Sequence, residues 1–572
     1  RKWRPALSSG ERAAMAESGL DVCSSRASSS DWDPFADPAD GEPEEAPPPQ
    51  VTASSSSKGR PTLYGMSDCD FSRIPKPEWA GGPKREFAGL TRKQFGPISE
   101  QRQKGEIYGL DFPFTCQQLR EGGPSWLTEA FHAAGTLPPG NRVTELEVTT
   151  LAEGKVGQMG GAADKGALHV AYAEPDEELH RDLFVKIPTA FTAEGDNMRF
   201  VNSVQSDMEL YEIYLHWLLG HGLPFKVPKY YFADISQKSS NFIIISERIA
   251  YAKKGTDRSS LAPGEIEPCC FKYRDYTLPE NGVDYYYATT TALARMTAWC
   301  HAGRLGSEER LFRLFRKNFI QPGTPMPSMP VEFLAAHIKR EAGILDIALN
   351  FVANVAPQLF PAEIRDPEFL RRFHSESLHV QQYATEIEFK LSESSEHWSL
   401  IHGNCQLDNC FFWRNSKGVL ECGLLDWGGV SLIPYTRALS GVSWIAAETE
   451  VMAAHEESLI RHFIDEYGKA GGPCVIDYDD MVLRVKLGQA AMATMNMQPI
   501  MKLIQVVKSA EWKKFESRMD PALEDDYLLR SGINKVINNL EMWRALNLYE
   551  AFLAWPPPAK PLAEVPPPNF GF

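Results

Sequence analysis

At 572 residues the chain is longer than one hydrophobic core usually supports, which implies one large two-lobed body, or two domains, with tails. Hydrophobic residues make up 43% and charged residues 23%, an ordinary globular balance, and a net charge of −16 leaves no basic excess, which excludes a general nucleic-acid binder. No apolar run approaches the ~20 residues of a membrane-spanning helix.

Residues 1–60 are built from stretches such as SSRASSS and ADPADGEPEEAPPP, without the apolar periodicity that offsets ordering entropy, and are predicted to be a disordered tail. The fragment DWDPF at 31–35 is a short binding motif or a chance occurrence in a polar tail. Residues 61–123 carry aromatics such as Phe71, Trp79, Phe95 and Phe112 among Pro and Gly, and read as an extension that packs partly on the body without its own core.

The body is predicted from residue 124, with Ser125 capping a helix over Trp126–Ala134 and Gly135 stopping it. Strands are predicted over Val143–Leu151, Ala167–Ala173 and Leu183–Ile187. Between the first two, LAEGKVGQMGG contains Gly154 and Gly157, which let backbone amides approach phosphates; a flexible surface hairpin is the alternative. In LFVKIP, Lys186 sits among apolar neighbours, and a buried ammonium needs a partner. The helical stretch 202–220 offers Asp207, Glu209 and Glu212 for that purpose. A further apolar strand, FIIISERIAY at 242–251, completes a small β lobe over 124–250.

Residues 251–283 read as a linker or insertion, and 284–555 as a helical lobe that opens with YYYATTTALARMTAWCH and ends before a flexible Pro-rich tail at 556–572. In that lobe LIHGNCQLDNCFFW at 400–413 is answered by GLLDWGGV at 423–430. Two related strand ends there bring His402, Asn409 and Asp426 toward one point. One carboxylate and one carboxamide suit a Mg²⁺ whose remaining shell is water and phosphate oxygen.

These stretches resemble the aminoglycoside phosphotransferase and choline kinase-like superfamily, whose loop reads HGDxxxxN with a downstream Asp-Trp or Asp-Phe. LFVKIP, the acidic-aromatic ELYEIYLHWL, LPFKVP at 223–228 and FIIISERIAY are most similar to its ecdysteroid-kinase-like branch. The resemblance implies a two-lobed, protein-kinase-like α+β fold with a mainly antiparallel N-lobe carrying one key helix. It implies ATP and Mg²⁺ as cofactors and a small-molecule hydroxyl as acceptor. On that reading Asp426 and Asn409 bind metal, and Lys186 orients the phosphates under the 154–161 loop. Glu212 holds Lys186, with Glu209 second in line. His402 supports the loop, and Glu247 and Ile249 mark a hinge that offers backbone groups to an adenine. His301, at the end of ARMTAWCHA, falls on a scaffold helix and is expected to be structural.

The chain departs from the pattern at Asn404, which stands where the family places its base; a carboxamide orients a hydroxyl but cannot take its proton near neutral pH. Asp408 is a substitute base or simply a solvated loop residue. Three readings follow: an ATP-dependent small-molecule kinase, a nucleotide-binding pseudokinase, and a non-enzymatic interaction protein. The ten scattered cysteines, without C-x-x-C pairs, suggest reduced thiols and a cytoplasmic protein, while the opening Arg1 leaves room for a preceding targeting segment.

Overall fold

The computed structural model describes residues 91–151, 163–189, 208–219, 223–236, 238–315, 317, 319–320 and 329–570. The tail predicted over 1–60, with its DWDPF fragment, lies outside the described residues, as does most of the glycine stretch with Gly154 and Gly157.

The extension enters with α1 (Arg92–Ser99), whose start is closed by a reciprocal capping box between Thr91 and Gln94, and whose Phe95 is fully buried. The chain then crosses the edge of the sheet, where the amides of Ile107 and Tyr108 each donate to the Asp234 carboxylate at 3.1 Å. Next comes α2 (Cys116–Ala134), capped by Thr115, which accepts from the Gln118 amide at 3.1 Å. The helix thus starts ten residues before the Trp126 start read from sequence. What Pro124 and Ser125 mark is a kink, with Gly123 at φ 60°.

Five antiparallel strands follow: β1 (Val143–Thr150), β2 (Ala163–Tyr172), β3 (Asp182–Pro188), β4 (Tyr230–Ser236) and β5 (Asn241–Glu247), in the order β1-β2-β3-β5-β4. Between β3 and β4 runs α3 (Met208–Leu219), with Ile213, Tyr214 and Leu215 fully buried. The second lobe opens on α4 (Val283–His301), a helix with apolar residues on nearly every face, as a central core helix must have. His301 ends it as a structural group, one ring nitrogen 2.9 Å from the Trp398 carbonyl and the other 2.9 Å from the Tyr467 hydroxyl.

Around α4 gather α5 (Val331–Asn350), α6 (Pro367–Gln381), α7 (Ala384–Ser392), α8 (Thr449–Lys469), α9 (Tyr478–Ala491), α10 (Pro499–Val506), α11 (Tyr527–Ala545) and α12 (Leu548–Ala554). Two small antiparallel pairs sit at the lobe's upper end: β6 (Trp398–His402) with β9 (Val430–Pro434), and β7 (Cys410–Arg414) with β8 (Leu420–Leu424). This is the expected two-lobed α+β arrangement, a kinase-like fold with one antiparallel sheet and one helix above a helical lobe. No helix among the described residues is long and apolar enough to cross a membrane.

The stretch read as a linker or insertion lies along β7, the Gly264 and Glu267 amides donating to the carbonyls of Arg414 and Phe412 at 2.8 Å. One segment differs from its sequence reading. The Pro-rich end, expected to be flexible, is docked: Lys560 pairs with Glu386 at 2.6 Å, the Ala563 amide donates to Gln382 at 2.8 Å and Phe570 is buried. A proline-rich strand makes no hydrogen bonds within itself, so its remaining polar groups are available to a partner surface.

Candidate active site

The register of β3 places Lys186 opposite Lys165 of β2, with Val185 and Ile187 buried beside it. The Lys186 ammonium donates to Glu212 Oε2 at 2.8 Å and to Asp426 Oδ1 at 2.9 Å. Tyr230 donates from its hydroxyl to the other Glu212 oxygen at 3.2 Å. Glu212 is therefore the helix carboxylate that sequence favoured, while the side chain of Glu209 lies outside the described residues. The Lys186 charge holds the Asp426 carboxyl well below the usual carboxylate range, against the opposing effect of burial.

Asp426 sits just past β8 with φ 59° and ψ 63°, a left-handed conformation that Asp tolerates better than most side chains. His402 closes β6 and ties it to that strand end. Its Nδ1 accepts from the Asn404 amide at 3.1 Å, so its Nε2 is the nitrogen that donates to the Leu425 carbonyl at 3.0 Å. Burial lowers its pKa, so the ring is a neutral strut packed on Trp427 at a centroid distance of 4.5 Å. Gly403 is forced by space: a Cβ there would stand 2.2 Å from the Gly429 carbonyl oxygen.

Asn409 donates from Nδ2 to the Asn404 carbonyl at 2.8 Å, which turns its Oδ1 into the atom left for a cation. Asp408 differs from the solvated reading: it is half-buried, and its Oδ1 is shielded from solvent with no hydrogen-bond partner. Burial raises its pKa, Lys272 opposes that rise, and Asp426 adds to it. The Asp426 carboxylate and the Asn409 carboxamide oxygen form a hard-oxygen pair that fits Mg²⁺ completed by phosphate and water. Among the described residues no group of three His, Cys, Asp or Glu side chains is arranged for a metal, so a site closed by protein ligands alone is not built there.

Glu247 and Ile249 lie at the end of β5, where Leu183 pairs with Glu247 three residues from Lys186. The Glu247 carboxylate accepts from the Lys229 amide at 3.0 Å, and the Glu247 and Arg248 amides donate to the carbonyls of Lys229 at 2.7 Å and Asp182 at 3.1 Å. Gly154 and Gly157 lie outside the described residues. Trp398, Trp427 and Trp444, weighed in sequence as acceptor-framing rings, are all core.

Sequence reasoning missed four groups. Lys165 reaches the same point from β2; burial lowers its pKa, the Asp426 charge opposes that and Lys186 reinforces it. The charges of Asp408 and Asp426 help to raise the Lys272 pKa against burial, Tyr273 hydrogen-bonds to the Gln406 side chain, and the Lys272 charge adds to the burial that lowers the Lys535 pKa. Lys165 lies two residues before the strand read over Ala167–Ala173, so none of the four carried a sequence signal.

No family model and no curated protein matches the chain. Among solved structures, it is similar to the GDP complex of a point mutant of an aminoglycoside 2′-phosphotransferase (16% identity over 64% of this chain and 91% of that one, TM-score 0.32). It is also similar to macrolide 2′-phosphotransferase type I (13% identity, 68% of this chain and 95% of that one, TM-score 0.30). A third similar structure is an ethanolamine kinase of Plasmodium vivax (11% identity, 69% of this chain and 82% of that one, TM-score 0.31).

Proposed function

We propose that the cleft binds ATP with Mg²⁺ and transfers the γ-phosphoryl group to an alcohol. The observation that carries this reading is the Lys186 ammonium shared between Glu212 at 2.8 Å and Asp426 at 2.9 Å. A buried cation joined at once to the helix of one lobe and to the metal-binding carboxylate of the other is what phosphate positioning requires. Lys186 and Lys165 would orient the phosphates, Asp426 and Asn409 would hold Mg²⁺, and the backbone at Glu247–Ile249 would take the adenine. Mg²⁺, when bound, neutralises charge on the transferred group. The protein's share is positioning, because a largely dissociative transfer asks little covalent chemistry of it.

Asn404 orients the acceptor hydroxyl without deprotonating it. The proton goes to Asp408, whose Oδ1 has no other hydrogen-bond partner. LFVKIP, LPFKVP and FIIISERIAY support a place in the ecdysteroid-kinase-like branch. The described cysteines are all free thiols, in keeping with a cytoplasmic protein.

Titrating ATP with and without Mg²⁺ in a thermal-shift assay tests the reading; a Mg²⁺-dependent rise in melting temperature is expected, and its absence sinks it. The second reading, a nucleotide-binding pseudokinase, is favoured by one observation, the carboxamide at Asn404. It holds if ATP binds but wild type turns over no faster than Asp426→Ala across a metabolite panel.

A further inference from the structure

The Pro-rich end is held as a strap by side chains of α5, α6, α7 and the α6–α7 connection. Gln382 grips one residue of it through both amide atoms, accepting from the Ala563 amide at 2.8 Å and donating to the Ala563 carbonyl at 3.0 Å. Lys560 meets both oxygens of Glu386, at 2.6 and 2.7 Å. Toward the far end the Asn569 amide donates to Asp346 Oδ1 at 2.8 Å, and the buried Phe570 ring lies 6.0 Å from the His374 ring.

His374, on α6 beside that ring, is fully buried, and both of its ring nitrogens are shielded from water without a hydrogen-bond partner. Buried polar groups are normally bonded, so an imidazole in this position is unfavourable even when neutral. A proton makes it worse, since both nitrogens then carry N–H and the added charge sits away from water. Asp346 Oδ1, 3.5 Å from Nε2, can pair with the charged ring, but the same oxygen already holds the Asn569 amide. Nδ1 has no acceptor. Water reaches the ring once Phe570 lifts. The imidazolium and the strap end thus compete for one carboxylate and one space.

The charged group that faces the ring from α5 is Asp346. On α6 itself Arg372 turns to Glu376 at 3.3 Å, and Glu376 accepts from the Trp543 indole of α11 at 2.9 Å. The strap brings an aromatic ring and a backbone amide, and among the described residues no charge besides Asp346 acts on His374.

We propose that the strap is an acid-released latch, in which protonation of His374 draws Asp346 from the Asn569 amide, displaces Phe570 and frees the Pro-rich end. Burial holds the His374 pKa below its usual ~6.5, and Asp346 opposes that shift. Below about pH 6.5 the released form therefore binds more protons than the docked form. Docking is complete above that pH, weakens as pH falls toward the docked pKa, and loses nothing further below it. Each pH unit within the window moves the balance toward release by up to about tenfold.

Hydrogen–deuterium exchange of the full chain at about pH 7.5 and about pH 5.5, corrected for the intrinsic pH dependence of exchange, tests this. In wild type, protection over 562–570 is expected to fall several-fold, up to about tenfold, at the lower pH, while α4 stays protected. His374→Leu should flatten that response. Glu386→Gln should lower protection at both pH values and keep the response. A His374→Leu melting temperature near that of wild type at neutral pH shows that it folds; where it does not, His374→Gln takes its place. The proposal is overturned by strap protection that ignores pH in wild type or by a response that survives in the folded His374 variant. It is equally overturned by a response that vanishes in Glu386→Gln, which would assign it to the Lys560 pair, or by α4 losing protection together with the strap, which marks general acid unfolding.

Discussion

Lys186 and Asp426 lie 240 positions apart in the chain and meet at 2.9 Å across the cleft. The same ammonium reaches Glu212, whose side chain is 3% exposed, at 2.8 Å. One side chain thus fastens the sheet, its helix and the second lobe's strand end at Asp426. Removing it strands two carboxylates.

Lys186→Met should therefore be both unstable and unable to bind ATP. Breaking a buried pair from one side costs about 3–5 kcal/mol, because the remaining charge stays buried. Chemical denaturation should show a loss of that order, and ATP should no longer shift the melting temperature. Adding Glu212→Gln should restore most of the stability and none of the binding. A single variant as stable as wild type would mean that the ion pair is solvated and the cleft reading misplaced.

Asp426→Asn separates charge from conformation. Asn tolerates the left-handed backbone that Asp426 adopts at φ 59°, so the turn should persist and the loss of stability should stay within about 1–2 kcal/mol. Mg²⁺-dependent stabilisation by ATP should vanish, and any turnover should fall at least about a hundredfold, since electrostatic positioning of this kind contributes several kcal/mol. Calorimetric titration of ATP with Mg²⁺ checks it. Retained Mg²⁺-dependent affinity would remove Asp426 from the metal site.

The altered base position gives a paired test. Base assistance typically contributes about 10²–10⁴-fold, so Asn404→Asp should raise turnover and Asp408→Asn should lower it, each with ATP affinity held. Steady-state kinetics on an alcohol of the metabolite panel that is turned over read both. If Asp408→Asn leaves turnover unchanged, the proton leaves by another route and the orphaned oxygen is structural.

Much of this site was legible because its parts are local. His402, Asn409 and Asp426 sit at fixed spacing on two strand ends, and Lys186 on an apolar strand called for a carboxylate from the next helix. What stayed hidden depends on segments that meet only through packing. In CCFKYRDY, Lys272 looks like any loop lysine; its position follows from the Gly264 and Glu267 bonds to β7 and from Arg530 on α11. The docked Pro-rich end was misread for a related reason. Its composition lacks internal bonding, but the partners Glu386 and Gln382 lie on α6–α7 and their connection, far away in sequence. Gly123 and Pro124 gave a true local signal with two meanings, a helix start or a kink, and only the preceding turn capped by Thr115 decides between them.

Lys535 supplies the pH test. Burial, with the Lys272 charge adding to it, holds its pKa down to about 8, below the usual ~10.4. The folded protein thus gives up this proton before the unfolded chain does. Between about pH 8 and 10.4 the unfolded state binds more protons, and stability attributable to this residue rises with pH. Below pH 8 both states are protonated and the penalty is complete. Each pKa unit is worth about 1.4 kcal/mol; discounted for partial exposure, the penalty is on the order of 1–2 kcal/mol. Lys535→Met should then be more stable than wild type at pH 7 by that amount, with the difference shrinking toward zero above about pH 10. Taking the difference between the two proteins cancels the tyrosines and lysines that titrate elsewhere. A difference flat in pH, or a variant less stable at pH 7, would show that the ammonium is well solvated.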